Sequence, residues 1–372
     1  MEVMQPAVLV GAYDWDEISL PRAEFERRVK EVLRRLAASG HAGLVVYGNK
    51  LESAALAYLT NFTPKLESAF ALLALDGSVR LHSAGSPHMM VNAQRLTWVE
   101  GVKPLRDAGK QIAEWAEALA PGPLGFWTTE AMPADLPPRL YAALPARPLN
   151  DMGARLDPLL RAKSPVERRL MREARSVLAR AAAALRERFE RGGTARQAAL
   201  AAEDAANDAG AQDVRVLASL VAGGTPTALD SPDSTRLDPL LAYIAVRRAG
   251  YWADGSLTLA TAPHATIERT RAGLAAMLEK ARAGVATAEL AAIARDKLGG
   301  MEVHPAARKP VAGIGLSLIE REASPNGVEV LEAGRVYTLR AGVRTGAGDN
   351  AILSAMIEVK PGGADILWSA LD

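Results

Sequence analysis

Cysteine is absent from the 372 residues. Disulfides, thiolate metal ligands and cysteine nucleophiles are therefore excluded, and the absence fits a reducing compartment. No stretch approaches the roughly 20 apolar residues of a membrane span. Met1–Gln5 carries no basic segment leading into an apolar run, so no signal peptide is expected. Net charge is nearly missing as well: 44 Lys plus Arg face 43 Asp plus Glu, a formal +1. That leaves no electrostatic case for nucleic acid or an anionic membrane. Aromatic residues make up 5%, and Trp98, Trp115, Trp127, Trp252 and Trp368 are scattered rather than grouped into a stacking platform. Histidine is scarce, with His41, His82, His88, His264 and His304 the full set. There is no His-Glu-x-x-His, no Gly-x-Ser-x-Gly elbow and no phosphate-binding GxxxxGK[ST], and Gly223-Gly224 reads as a turn. These absences point to a soluble, cytoplasmic protein.

What is present suits two domains with large cores, since 49% of the residues are apolar. Residues 21–39 place Phe25, Val29, Val32, Leu33 and Leu36 at helical spacing, and Gly40 stops them. Gly43 to Tyr47 reads as a buried strand. Residues 51–59 read as a helix, and 69–75 and 79–83 as strands around an Asp76-Gly77 turn. A helix at 108–119 and a strand near 124–127 complete an α/β first domain, residues 1–157. Pro145, Pro148, Asn150 and Gly153 then mark a boundary. Ser164-Pro165-Val166-Glu167 follows as a capping box with proline at the first helical position, predicting a long helix to about Glu190. Thr194 caps a second helix ending near Gly210. Beyond it the pattern gives a strand at 214–221 and a hairpin at 241–260, with Ala249-Gly250 at its turn. Helices near 266–283 and 287–298 come next, then strands near 335–342 and 352–360. This second domain, residues 158–372, reads as α+β.

Six short stretches, in this order, carry a resemblance: ALAYLTNF (55–62), RAKSPVERRLMREA (161–174), AGYWAD (249–254), AGIGLSLIE (312–320), LEAGRVYTL (331–339) and IEVKPGG (357–363). Together they resemble the creatinase/prolidase/aminopeptidase P family, an M24-like peptidase family, over about residues 21–364. The resemblance implies a creatinase-like α/β N-terminal domain and a C-terminal domain with the pita-bread fold. It also implies a homodimer and five metal ligands, two Asp, one His and two Glu, holding two ions that activate a water. Only the second Asp is matched, by Asp254. Tyr243 stands where the first Asp is expected, Ala312 where the His is, and Arg340 and Ser354 where the two Glu are. Glu358 lies four residues past Ser354 on the same strand and is no equivalent. The substrate-handling histidines are replaced by Ser231 and Ile319, and an expected Arg by Leu257, while the family's glutamate beside the second histidine is kept as Glu320.

The sequence therefore predicts a degenerate site with no bound metal and no cofactor. Asp254 reads either as a surviving catalytic or binding residue or as an acceptor for Arg340, Arg247 or Arg248. Glu320 reads either as an acid or base or as a salt-bridged glutamate. Arg340, inside an apolar strand, needs a partner, which would be Asp254 or an anionic ligand. Tyr243 reads as filler. The expected ligand pocket comprises Tyr243, Asp254, Ala312, Arg340 and Ser354, with Ser231, His304, Ile319 and Glu358 as further candidates. Two functions follow. One is a non-catalytic binding or regulatory pseudoenzyme that takes a small-molecule or peptide ligand, or pairs with an active paralogue. The other is a metal-independent, creatinase-like hydrolase or lyase acting on a small amino-acid-derived C–N substrate.

Overall fold

The computed structural model describes residues 14–64, 66–219, 221, 224–228, 236–324, 326–345 and 349–372. The chain divides into two compact units, one ending at Leu160 and one beginning at Arg161. Among the described residues no helix is long and apolar enough to cross a membrane.

The first unit opens with α1 (Arg22–Ala37), followed by β1 (Gly43–Asn49), α2 (Ala54–Thr60), β2 (Ser68–Ala74) and β3 (Val79–Ser83). Then come α3 (Pro87–Gln94), β4 (Lys103–Pro104), α4 (Ala108–Glu117), β5 (Leu124–Trp127), α5 (Leu136–Ala143), β6 (Leu149–Asp151) and α6 (Gly153–Arg161). The strands form one mixed sheet in the order β4-β3-β2-β1-β5-β6, with β1 antiparallel to β2 and parallel to β5. Covered on both faces, its central strands are continuous apolar runs. On one face Val45, Tyr47, Phe70 and Leu72 pack with Ile112, Trp115, Leu136 and Leu140.

The second unit begins with α7 (Pro165–Glu190), where the capping box forms as its sequence predicts. Ser164 Oγ accepts from the Glu167 amide at 3.2 Å, and Glu167 Oε2 accepts from the Ser164 amide at 2.9 Å. Leu170, Ala174, Val177, Leu178, Ala181 and Leu185 form the buried stripe that a 3.6-residue period requires. That stripe packs beside α8 (Ala195–Asp208) and onto the hairpin of β8 (Leu240–Arg248) and β9 (Tyr251–Leu259). With β7 (Asp213–Ala218), the hairpin forms a three-stranded antiparallel sheet.

A pair of helices follows, α9 (Ala265–Lys280) and α10 (Thr287–Leu298). The second sheet runs β10 (Glu302–Val303), β12 (Val336–Arg344), β13 (Ala351–Lys360), β14 (Gly363–Ser369), with β11 (Val311–Gly313) also paired to β12. The two sheets meet where β9 lies beside β13. Side chains join them there: the Ser256 amide donates to Ser354 Oγ at 2.7 Å, and Thr258 Oγ1 bonds both the carbonyl and the amide of Ile352.

Candidate functional site

Strand register puts the old ligand positions at this junction. Asp254 and Ser256, two apart on β9, share one face, as do Thr338 and Arg340 on β12. Tyr243 stands opposite Ser256, which makes it the diagonal neighbour of Asp254. Arg340 pairs with Ser354 across β12 and β13, and Ala312 with Thr338 across β11 and β12.

Asp254 is fully buried, and three donors hold its carboxylate. The Thr338 hydroxyl donates to Oδ1. The Arg340 Nη2 group and the Tyr243 hydroxyl, the latter at 3.1 Å, both donate to Oδ2. A buried carboxylate without such partners would be costly; here a guanidinium neutralises it. Burial opposes the charge on Arg340, but Asp254 and then Tyr243 hold the guanidinium above its ordinary value. Burial, and then the charge of Asp254, pushes the Tyr243 phenol well up, so it stays protonated and donates.

A second charged cluster lies nearby. The buried Lys163 ammonium pairs with Glu320 Oε1, and Arg335 Nη2 reaches Glu320 Oε2 at 3.5 Å. Arg335 also holds both Glu322 oxygens and Glu332, and its guanidinium lies 4.8 Å from the Tyr337 ring centroid. Arg161 adds a further contact to Glu322 at 3.5 Å. The Gly313-Ile314-Gly315 run makes room for this cluster. A Cβ at Gly315 would come within 2.5 Å of Lys163 Nζ, and one at Gly313 within 2.7 Å of Arg335. Burial pushes the Glu320 carboxyl up to about 7, against the pull of Lys163 and Arg335.

An open cavity of about 550 Å³ lies over both clusters. Tyr243, His304, Ala312, Ile319, Glu320 and Arg340 line it. Asp254 does not line it and sits behind Tyr243 and Arg340. Ser354 does not line it either, being engaged with the Ser256 amide between the sheets. Glu358 belongs to a separate cluster, held by Arg168 and Arg172 on α7 and by Lys360. His304 is buried, and its Nδ1 accepts from the Ala306 amide at 3.2 Å. Burial, then Arg344, lowers its pKa. Ile319 is 68% exposed at the cavity wall. Ser231 lies outside the described residues.

Lys163, Arg335, Glu322 and Thr338 were not singled out by sequence reasoning. The signal in hand was an arginine opening an apolar strand in GRVYTL and a lysine just before a helix cap.

This donor set does not fit a pair of divalent ions. The one carboxylate at the old ligand positions is saturated by Thr338, Tyr243 and Arg340. Among the described residues, no three His, Asp or Glu side chains come together to hold a metal. Arg340 would also place a fixed positive charge beside any cation.

The fold has many solved counterparts. An X-Pro aminopeptidase from Thermotoga maritima superposes with a TM-score of 0.75 at 18% identity, over 91% of this chain and 96% of that one. A prolidase from Pyrococcus horikoshii gives 0.72 at 17%, over 92% and 97%. A dipeptidase from Mycobacterium ulcerans gives 0.69 at 20%, over 93% and 95%. Identities this low establish the shared pita-bread architecture and nothing finer. Among curated proteins none matches the sequence. The family model for metallopeptidase family M24 matches residues 169–363, and with architecture and sequence pattern in agreement the chain belongs to that family.

Proposed function

We propose that this chain is a non-catalytic, metal-free member of its family that binds a small ligand in the cavity of its second unit. One observation carries the reading: the Arg340 guanidinium is bonded to Asp254 beneath an open cavity. Two-metal hydrolysis needs several carboxylates to hold its ions and a bridging water between them. Here a fixed cation has taken the place of that charge, and the cavity above it remains large enough for a small molecule. We place the protein in the cytoplasm as a homodimer.

Elemental analysis of purified protein tests the reading, together with assays of Xaa-Pro dipeptides with and without manganese. The expected result is substoichiometric manganese, cobalt and zinc and no turnover. Stoichiometric metal, or turnover stimulated by manganese, would overturn it.

A metal-independent hydrolase or lyase is the second reading, favoured by Glu320 alone. Its carboxyl lines the cavity and is raised to about 7, a value suited to proton transfer near neutrality. Lys163 and Arg335 already occupy both its oxygens, which favours the binding role. Metal-free turnover of a C–N substrate that Glu320→Gln abolishes would reverse this preference.

A further inference from the structure

The cavity's polar groups are unevenly matched, and the mismatch points to a ligand class. We propose that it takes a small organic carboxylate with an apolar body and no amine, held by Arg340 and Lys309. This rests on the reading above that the cavity is a metal-free binding site.

Arg340 lines the cavity with its side chain 12% exposed. It gives Asp254 only its Nη2 group. Its other guanidinium N–H groups have no partner among the described residues, and they are not among the side-chain nitrogens sealed from solvent without one. A guanidinium carries five N–H donors in a rigid fork. With Asp254 on one corner, a free edge remains, and it matches the two oxygens of a carboxylate. Lys309 lines the same cavity, is exposed and has no ion-pair partner among the described residues.

The acidic groups lining the cavity are differently placed. Glu320 is matched by Lys163 and Arg335, and Glu322 by Arg335 and Arg161. Among the described residues, no lining carboxylate is left for an ammonium. Burial and Arg344 lower the pKa of His304, so it adds no charge at neutral pH. Among the described residues, the fixed charge left unbalanced on the lining is therefore Lys309, which favours an anion. Leu217, Pro226, Val311, Val328 and Ile352 supply apolar wall. That wall favours a hydrocarbon body and disfavours a bare inorganic anion.

Calorimetric titration of the full chain, with metal content measured on the same sample, tests this. The probes are a carboxylate series (acetate, 4-methylvalerate, 4-phenylbutyrate), 4-methylpentanamide, leucine and inorganic phosphate. A carboxylate longer than acetate is expected to bind best. The amide and leucine are expected to be at least tenfold weaker, and phosphate silent. Lys309→Ala should weaken binding several-fold. The double variant Asp254→Asn/Arg340→Met removes both members of the ion pair together and should abolish binding. If that protein does not fold, Arg340→Lys, which keeps the charge but loses the fork, should weaken binding at least tenfold. Failure of every carboxylate, equal binding of amide or leucine, or indifference to the Arg340 variants would overturn the inference. Amide binding in a metal-free, inactive sample overturns only the carboxylate preference. Stoichiometric metal or manganese-stimulated turnover instead overturns the reading beneath it.

Discussion

Removing one partner of the Asp254–Arg340 pair leaves the other buried without its counter-charge. Such losses cost about 3–5 kcal/mol, whereas removing both partners can be nearly neutral. Asp254→Asn and Arg340→Met should each destabilise by amounts of that order, and the double variant Asp254→Asn/Arg340→Met by clearly less than their sum. Urea denaturation of the four proteins measures the coupling, and additive losses would show that the pair holds nothing together. His82 makes a second prediction. It is buried, stacks on Phe70 at 4.7 Å and has an unpartnered Nδ1. Burial, then Lys103 and Arg80, lowers its pKa from 6.5 to about 4. The unfolded chain therefore binds the extra proton first, so stability is fully present above pH 6.5 and is lost as pH falls toward 4. The loss should be on the order of 2 kcal/mol once partial solvent access is allowed for. His82→Leu should remove it, and equal acid sensitivity in the variant would refute the assignment. At this scale the sequence was only partly legible. Arg340 announced a need for a partner because it interrupts an apolar strand. Tyr243 reads as filler from the sequence, whereas its hydroxyl donates to Asp254 across the hairpin diagonal, a contact that only the register reveals. Lys163 and Glu320, 157 residues apart, carried no local sign of each other.

Hairpin β8–β9 turns through Ala249 and Gly250, whose φ values are 47° and 84°. Positive φ at both central residues suits a type I′ turn, for which Asn-Gly is favoured. Alanine is strained there, at a cost of roughly 1–2 kcal/mol. Ala249→Asn should therefore raise stability by about 1 kcal/mol, as thermal unfolding would show; an unchanged or lower midpoint counts against this. At the start of α7, Ser164→Ala removes the helix cap and should cost about 1 kcal/mol. Elements like these are readable because their signals are local: a capping box, a two-residue turn, a stripe at period 3.6. Elements stabilised from elsewhere were missed. β14 contains Ile366, which is 53% exposed, so its apolar alternation is poor and its pairing with β13 comes from the sheet edge. Helices α3 and α5 are only 8 residues each and carry proline in the first turn, a start signal too weak without a long periodic stretch behind it.

Across the second unit, the junction of its two sheets is closed by the protein's own groups. Ser354 bonds the Ser256 amide, Thr258 bonds Ile352 twice, and Arg340 with Thr338 holds Asp254. In a chain that depended on metal, a cation would supply that cohesion. Ligand held only by the native state stabilises it by RT ln(1 + [L]/Kd), about 4 kcal/mol at a thousandfold excess over Kd. A metal-dependent protein would therefore lose several degrees of Tm on chelation and recover them with metal. Here the charge that two dications would balance has been reduced to one carboxylate, and a guanidinium one strand away balances it. Dialysis against EDTA, then addition of manganese, cobalt or zinc, should leave the Tm within about 1 °C of its starting value, because a shift of 2–4 °C corresponds to only about 1 kcal/mol in a unit of this size. In the Asp254→Asn/Arg340→Met variant the response should stay flat, since deleting the guanidinium does not restore the missing ligands. A chelator-sensitive Tm in the wild-type protein would mean that some other set of groups binds metal and that the junction is not self-sufficient.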